Sequence, residues 1–276
     1  MKKFLFLFSF IFAIAFALAG CGGTDNDNNA GNDEKNDTKQ TGSLFDDIKE
    51  KGVLTVGTEG TYAPYTFHNE EDQLTGYDVE VIKEVAKRMD LEVKFMETQW
   101  DSMFAGLNSK RFDLIANQVG INEDRLTNYD FSEPYTYSSA VLVVSKDNSD
   151  IKTFADLKGR KAAQSLTSNY GAIAQEDGAE IVGVEGLAQS IELIKQGRAE
   201  ATVNDKLAVL DYIKSQGDES IKIAASSDDV SEMAFTFNKG NEDLVKAINE
   251  QLAAMREDGT LAKISQEWFG EDVSTK

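Results

Sequence analysis

The sequence predicts an α/β fold of two lobes that are joined by two crossings of the chain, with a ligand cleft between them. Short apolar strands alternate with amphipathic helices, which is typical of parallel sheets covered by helices. This pattern occurs twice, once between residues 53 and 118 and again between residues 161 and 205. Extended segments at Val141–Val144 and around Ser226–Met233 connect the two series.

The first series begins with a short buried strand at Val53–Gly57, which is followed by a loop and a hairpin. Asp78 is predicted to cap a helix whose apolar residues recur at helical spacing. A strand at Glu92–Phe95, a helix at Trp100–Ser109 and a strand at Asp113–Gln118 follow.

The second series begins with a strand at Lys161–Gln164. The predicted elements that follow it are a helix from Ser168, a strand at Ile181–Val184, a helix at Leu187–Lys195, a strand at Ala201–Val203 and a helix from Asp205. A last strand and a long helix ending at Gly259 then return the chain to the first lobe.

We therefore expect lobe 1 to comprise residues 43–140 and 233–276, and lobe 2 residues 141–232. In such sheets ligands bind outside the carboxyl ends of the strands, and closure about a hinge can trap them.

The N-terminus has the pattern of a secretory signal. Lys2 and Lys3 precede the apolar run Phe4–Ala17, which is too short to span a bilayer comfortably, and Leu18–Cys21 then matches a lipobox. We predict a signal peptide at residues 1–20 and acylation of Cys21, with palmitate for example, at the outer face of the bacterial cell membrane. The alternative is a buried free cysteine behind an ordinary signal peptide. Residues 21–42, rich in Asn, Asp and Gly, are predicted to be a flexible acidic linker.

Composition excludes several classes of function. The net charge of −20 repels nucleic acid and anionic lipid surfaces, so the lipid anchor is the only expected membrane contact. One histidine and one cysteine make a transition-metal site unfavourable, and no GxGxxG, P-loop or GxSxG motif occurs. We therefore expect no cofactor and no enzyme of these common classes. We also expect a monomer.

Arg125 and the Thr167–Ser168 pair are candidate groups for binding an anion. Arg125 follows a strand end by a short loop, where a guanidinium suits the bidentate capture of a carboxylate. The alternative is a surface arginine that pairs with Glu123 or Asp124. Thr167 and Ser168 begin a helix, where hydroxyls and free N–H groups can bind an anion or simply cap the helix.

Asp205 is a candidate group for binding a cation. It ends a strand, where its carboxylate can bind an ammonium group or cap the next helix, and its position alone favours the cap. Tyr62 and Trp100 lie at element ends, where aromatic rings often line a slot for an aliphatic chain. A cation in one lobe and an anion in the other suit a zwitterion, which suggests an amino acid.

These features occur in a chain that resembles the extracellular solute-binding proteins of ABC importers for polar amino acids, from Leu44 to Val273. The resemblance implies the periplasmic-binding-protein-like fold of type II, and a membrane permease as partner. The segments that carry it are Thr61–Tyr65, Leu74–Asp78, Arg125 with Tyr129–Tyr135, Asp156–Gly159, and Asp258–Leu261 with Trp268–Phe269.

The resemblance also implies roles for individual residues. Arg125 would bind the α-carboxylate with Ser168, and Asp205 would bind the α-ammonium with the Gly120 carbonyl and Gln118. Tyr62 and Trp100 would form walls around the side chain of the ligand.

The sequence departs from many relatives by carrying Asn122 and the amide pair Asn117–Gln118. This pair, together with Gln99–Met103 and Ser109–Asp113, resembles the cystine-binding branch, and amides suit a ligand with two zwitterionic ends. We therefore predict capture of L-cystine for import. The alternatives are another polar amino acid such as arginine or glutamine, a dehydratase in which Glu59 or Asp205 acts as an acid, and an adhesin.

Overall fold

A computed structural model describes residues 42–276 of the chain. The predicted signal peptide, Cys21 and the predicted linker up to residue 41 lie outside the described residues. Among the residues that are described, no helix is both long and apolar enough to cross a membrane.

The described chain alternates between strands and helices, as predicted. Its helices are α1 (Leu44–Lys51), α2 (Tyr77–Arg88), α3 (Trp100–Asn108), α4 (Glu123–Asn128), α5 (Asn169–Glu176), α6 (Leu187–Lys195), α7 (Lys206–Gln216), α8 (Glu242–Glu257) and α9 (Thr260–Phe269), with a 3-10 turn at Phe154–Leu157. Its strands are β1 (Val53–Thr58), β2 (Thr61–Tyr62), β3 (Thr66–His68), β4 (Leu74–Thr75), β5 (Glu92–Glu97), β6 (Leu114–Gly120), β7 (Tyr129–Phe131), β8 (Thr136–Ser145), β9 (Lys161–Gln164), β10 (Glu180–Gly183), β11 (Ala201–Asp205) and β12 (Ile221–Asn238).

The main sheet has two parallel groups of strands, one for each predicted series. In the first group β1 lies between β5 and β6, and all three strands are parallel. In the second group β9 lies between β10 and β11, again in parallel. Strands β8 and β12 lie between the groups and are antiparallel to each other, so the order is β10-β9-β11-β8-β12-β6-β1-β5, with β7 also on β12.

The two long antiparallel strands are the two predicted crossings. Val141–Val144 lies in β8 beside the second group, where β8 pairs with β11. Strand β12 pairs with β8 from Ile221 to Met233, and with β6 from Met233 onward. The same strand therefore serves both groups, and its register on β8 shifts between Ser226 and Val230. This is the predicted two-lobed fold with a two-strand hinge; the numbered lobe boundaries stay a prediction.

Close packing around one phenylalanine fixes helix α3 against the first group. The Phe112 ring lies so near Gly57 and Gly106 that a Cβ on either glycine would be within 2.5–2.7 Å of ring atoms. Small residues at both positions therefore let the ring fill the space between β1 and α3. This packing holds the first turn of α3, which carries Trp100, at the end of the sheet where β1 and β6 finish.

The predicted capping role of Asp78 is wrong. Helix α2 starts at Tyr77 behind Gly76, whose φ of +126° and whose close approach to the Tyr65 carbonyl suit only glycine. Asp78 lies inside the first turn, and its buried carboxylate accepts hydrogen bonds from the backbone N–H of Gln118 at 2.8 Å and from its Nε2 at 2.6 Å.

Candidate functional site

A small cavity of about 40 Å³ lies between the two groups of strands, at the carboxyl ends of several of them. Such edges are where open α/β sheets bind their ligands. The residues that line it are Glu59, Tyr62, Trp100, Asn117 and Gln118 from the first group, and Ser165, Ser168, Asn169, Tyr170, Glu185, Gly186, Leu187 and Asn204 from the second.

Arg125 is a buried cation beside this cavity, with only 8% of its surface exposed. Its Nη1 donates to the Gly120 carbonyl at 2.9 Å and its Nη2 to the Thr167 carbonyl at 3.4 Å. The guanidinium carbon lies 5.4 Å from the Trp100 ring centre and 5.2 Å from that of Phe104. Burial lowers the pKa of Arg125 to about 10, so the group keeps its charge at neutral pH.

The alternative of a surface arginine paired with Glu123 or Asp124 is therefore wrong. Arg125 is buried, and no carboxylate within residues 42–276 forms an ion pair with it. The Asn122 side chain accepts from the Arg125 backbone N–H at 2.8 Å and caps α4, which fixes the start of the arginine side chain. Burial of a cation without an opposite charge costs free energy, and an anionic ligand can supply that opposite charge.

Asp205 is also buried, and most of the acceptor capacity of its carboxylate is used within the fold. Its Oδ1 accepts from the Leu207 and Ala208 backbone N–H groups at 2.9 and 3.1 Å, so the capping role is present. The same oxygen accepts from the Tyr65 hydroxyl at 2.6 Å, and Oδ2 accepts from the Tyr170 hydroxyl at 3.1 Å. Asp205 does not line the cavity, and the acceptor capacity that remains is on Oδ2.

Ser168 combines the two roles that its position allows. Its hydroxyl accepts from the Gly171 N–H at 2.9 Å and caps α5, and the residue also lines the cavity. Thr167 does not line the cavity, because its backbone N–H and hydroxyl are turned toward Asp101. The Gly120 carbonyl, expected beside the ligand ammonium, accepts from Arg125 instead.

The amide pair lies in the cavity wall, but its hydrogen bonds are largely internal. Asn117 accepts from the Glu59 N–H at 2.7 Å and donates to the Glu59 carboxylate at 2.6 Å. Gln118 adopts a left-handed conformation with φ of +49° and donates through Nε2 to Asp78 and to Thr136. Its Oε1 is buried without a hydrogen-bond partner among the described residues.

Tyr62 and Trp100 both line the cavity, and their role as walls around a ligand stays a prediction. The Tyr62 hydroxyl crosses the cleft and donates to Asn204 Oδ1 at 2.8 Å. Trp100 is 7% exposed and packs edge-on against Phe104. Its Nε1 is a buried donor that finds no acceptor within residues 42–276, so it is available to a ligand in the cavity.

Glu59 lines the cavity, although the sequence suggested it only as the acid of a dehydratase. Burial raises the pKa of its carboxyl to about 7, against the effect of the Asn117 hydrogen bond, and the charge of Asp101 raises it further. Its position directly after β1 could have identified it, because a position at a strand end is also what selected Asp205. Tyr170 and Glu185 line the opposite wall and were also missed.

Comparison with known proteins gives the family. The family model described as "Bacterial extracellular solute-binding proteins, family 3" matches residues 54–271 of this chain. The chain belongs to this family. The resemblance drawn from the motifs is thereby confirmed, and so is the expectation that the chain is a binding protein rather than an enzyme.

One relative is the L-cystine-binding protein TcyA of Bacillus subtilis. It is 59% identical over 247 residues, which cover 89% of this chain and 92% of TcyA. The unliganded, open L-cystine solute receptor of Neisseria gonorrhoeae is 50% identical, with a TM-score of 0.56 over 85% of this chain and all of the receptor. An ancestral arginine-binding protein bound to arginine is 32% identical, with a TM-score of 0.75 over 79% of this chain and 99% of that protein.

The two structural likenesses rank in the opposite order to the sequence identities. The open receptor is closer in sequence, yet the ligand-bound protein is closer in shape. Hydrogen bonds join the two sides of the cleft, since Tyr62 reaches Asn204 and Tyr65 reaches Asp205. The two lobes are therefore closed on each other.

Proposed function

We propose that this protein captures L-cystine outside the cytoplasm and delivers it to the membrane permease of an ABC importer. The observation that carries the proposal is Arg125, a buried guanidinium that has no carboxylate partner among residues 42–276 and lies beside the cleft of a solute-binding protein. Cystine is favoured over other amino acids by the 59% identity to TcyA, an L-cystine-binding protein.

In this proposal Arg125 binds one α-carboxylate of the ligand, and the Ser168 hydroxyl assists it from the cavity wall. The α-ammonium binds the Glu59 carboxylate and the remaining acceptor position on Asp205. Glu59 supports this assignment, because a carboxylate whose burial disfavours its charge gains most from a cationic partner. Tyr62 and Trp100 hold the chain between the two ends of the ligand.

The second zwitterionic end of cystine requires further polar groups. Asn169, Glu185 and Asn204 line the cavity and supply amide and carboxyl groups. Two buried polar atoms of the wall, Trp100 Nε1 and Gln118 Oε1, supply one free donor and one free acceptor. Asn117 takes an indirect part, since its amide orients the Glu59 carboxylate, and Thr167 and Gly120 likewise act by holding Arg125.

The cellular setting follows from the predicted N-terminus. Acylation at Cys21 would tether the protein to the outer face of the membrane, and residues 21–42 would let it move between solution and the permease. We further propose that it acts as a monomer and that the tether is its only contact with lipid.

Calorimetric titration with L-cystine, then with arginine and glutamine, tests the proposal. We expect L-cystine to bind most tightly and the heat to disappear when a reductant converts it to cysteine. The protein has one cysteine, Cys21, so residues 42–276 contain no disulfide that the reductant could break. Tight binding of arginine or glutamine alone would overturn the choice of ligand, and no binding of any amino acid would overturn the function.

A further inference from the structure

Asp101 lies beside Trp100 in the first turn of α3, within the Gln99–Met103 segment, and has no role in the proposed ligand contacts. Its carboxylate points across the cleft. Oδ2 accepts from the Leu166 backbone N–H at 3.2 Å, and Oδ1 accepts from the Thr167 N–H at 3.0 Å and the Thr167 hydroxyl at 2.8 Å. One side chain of the first lobe thus gathers three donors of the second.

The segment that Asp101 holds is the loop between β9 and α5. Two residues of this loop, Ser165 and Ser168, line the cavity. Thr167 lies between Asp101 and Arg125, because its carbonyl accepts from Arg125 Nη2. The position of this loop therefore decides both how the cavity is covered and how Arg125 is held.

A purely local role for Asp101 does not account for these contacts. The carboxylate accepts no hydrogen bond from α3 itself among the described residues, and the cap position of that helix is Gln99. No lysine or arginine of residues 42–276 pairs with it either. Its partners come from a loop that domain opening would carry away, so the three bonds exist only while the cleft is closed.

We infer that Asp101 is a positioning residue that latches the closed cleft and so slows release of the bound amino acid, without touching it. This inference rests on the proposed function. The carboxylate is exposed at the mouth of the cleft, where water weakens each bond, so the combined effect is moderate. We expect loss of the latch to speed ligand release about five- to tenfold and to leave the association rate nearly unchanged.

Stopped-flow measurement of L-cystine release from the purified full chain tests the latch. Asp101→Asn keeps one oxygen but turns an N–H₂ group toward a backbone donor, so release should be faster than in the wild type. Thr167→Val removes the hydroxyl bond alone and should give a smaller change, and its effect should disappear in the Asp101→Asn background. Ser102→Ala, an exposed neighbour on α3, is the control and should release ligand at the wild-type rate.

A merely structural role predicts a different result. In that case Asp101→Asn would lower the melting temperature of the unliganded protein and leave the release rate unchanged, which would overturn the inference. Hydrogen exchange at the Leu166 and Thr167 amides of the protein saturated with L-cystine, whose cleft is closed, gives a second readout. We expect Asp101→Asn to speed exchange at these two amides, and equal exchange in variant and wild type would also overturn the latch. Failure of the proposed function would appear separately, as a wild-type protein that binds no amino acid.

Discussion

Arg125 and Asp205 carry opposite charges, both are buried, and their surroundings differ. Asp205 accepts four hydrogen bonds from two backbone N–H groups and two tyrosine hydroxyls. Arg125 donates to two carbonyls and stacks on aromatic rings, but no carboxylate of residues 42–276 pairs with it. The described part of the fold satisfies one charge and leaves the other without an ion pair. We therefore expect the degree of internal satisfaction, more than burial, to separate a structural charge from a binding charge.

The largest expected effect is on binding at Arg125. Arg125→Met keeps an apolar chain between Trp100 and Phe104 and removes the charge. Truncating one partner of a buried charge pair costs about 2–5 kcal/mol, so the Kd for L-cystine should rise by about 30-fold or more. The melting temperature should change less than the affinity, because no carboxylate of residues 42–276 loses an ion-pair partner and only two hydrogen bonds to carbonyls are removed. Calorimetry and a thermal melt measure the two quantities.

Arg111→Ala is the matched control for this prediction, since it removes the same charge from an exposed position. Its affinity should equal that of the wild type. Should Arg125→Met bind cystine normally, the assignment of the ligand carboxylate to Arg125 would be wrong.

Substitution of Asp205 should affect the stability of the fold more, and ligand binding less, than substitution of Arg125. Asp205→Asn removes charge-assisted hydrogen bonds to Tyr65, Tyr170 and the first turn of α7, so the free energy of unfolding should fall by about 1–3 kcal/mol. Binding should weaken by less than at Arg125, because only one acceptor position on Oδ2 remains for the ligand. Chemical denaturation and calorimetry would measure both, with Asp228→Asn as an exposed control of equal charge. A stable Asp205→Asn variant that fails to bind would contradict this assignment.

Glu59 and Asp78 are buried carboxyls whose effect on stability should be smaller and should depend on pH. Burial raises the pKa of each carboxyl to about 7. Between pH 7 and pH 4 the folded protein keeps protons that the unfolded chain has released, so the free energy of unfolding should rise as the pH falls from 8 to 5. Glu59→Gln lacks this titration, so it should gain stability over the wild type at pH 8 and lose that gain near pH 5.

Denaturation at the two pH values measures this difference. Carboxyls whose pKa is lowered, such as Asp258 at about 2, act in the opposite direction only at more acidic pH. Equal dependence on pH in Glu59→Gln and in the wild type would show that Glu59 does not titrate in this range.

The sequence predicted the parts of the molecule that follow from local pattern. Strand–helix alternation and the two extended segments were sufficient for the two-lobed fold, because hydrophobic periodicity and strand ends are local properties. Arg125, Ser168 and Trp100 were selected in the same way, and the structure brings them together at the cleft. Their individual contacts with the ligand stay predictions.

What the sequence did not predict depends on contacts between distant segments. Gln118 is a predicted ligand residue whose left-handed backbone and contact with the buried Asp78 carboxylate turn its N–H₂ group into the core, so that Oε1 is the atom left for a ligand. Helices α1, α4 and α9 were also not predicted. The Asp101 contacts could not be predicted, since they form only when a loop of the second lobe closes on α3.

The most direct test of the central contrast is a crystal structure of this protein with L-cystine bound. We predict that one ligand carboxylate lies within about 2.7–2.9 Å of the Arg125 guanidinium nitrogens, the range of charge-assisted hydrogen bonds. Asp205 should keep its contacts with Tyr65, Tyr170 and α7. A ligand whose carboxylates both lie away from Arg125, or an Asp205 side chain that leaves α7 to bind the ligand, would contradict the account.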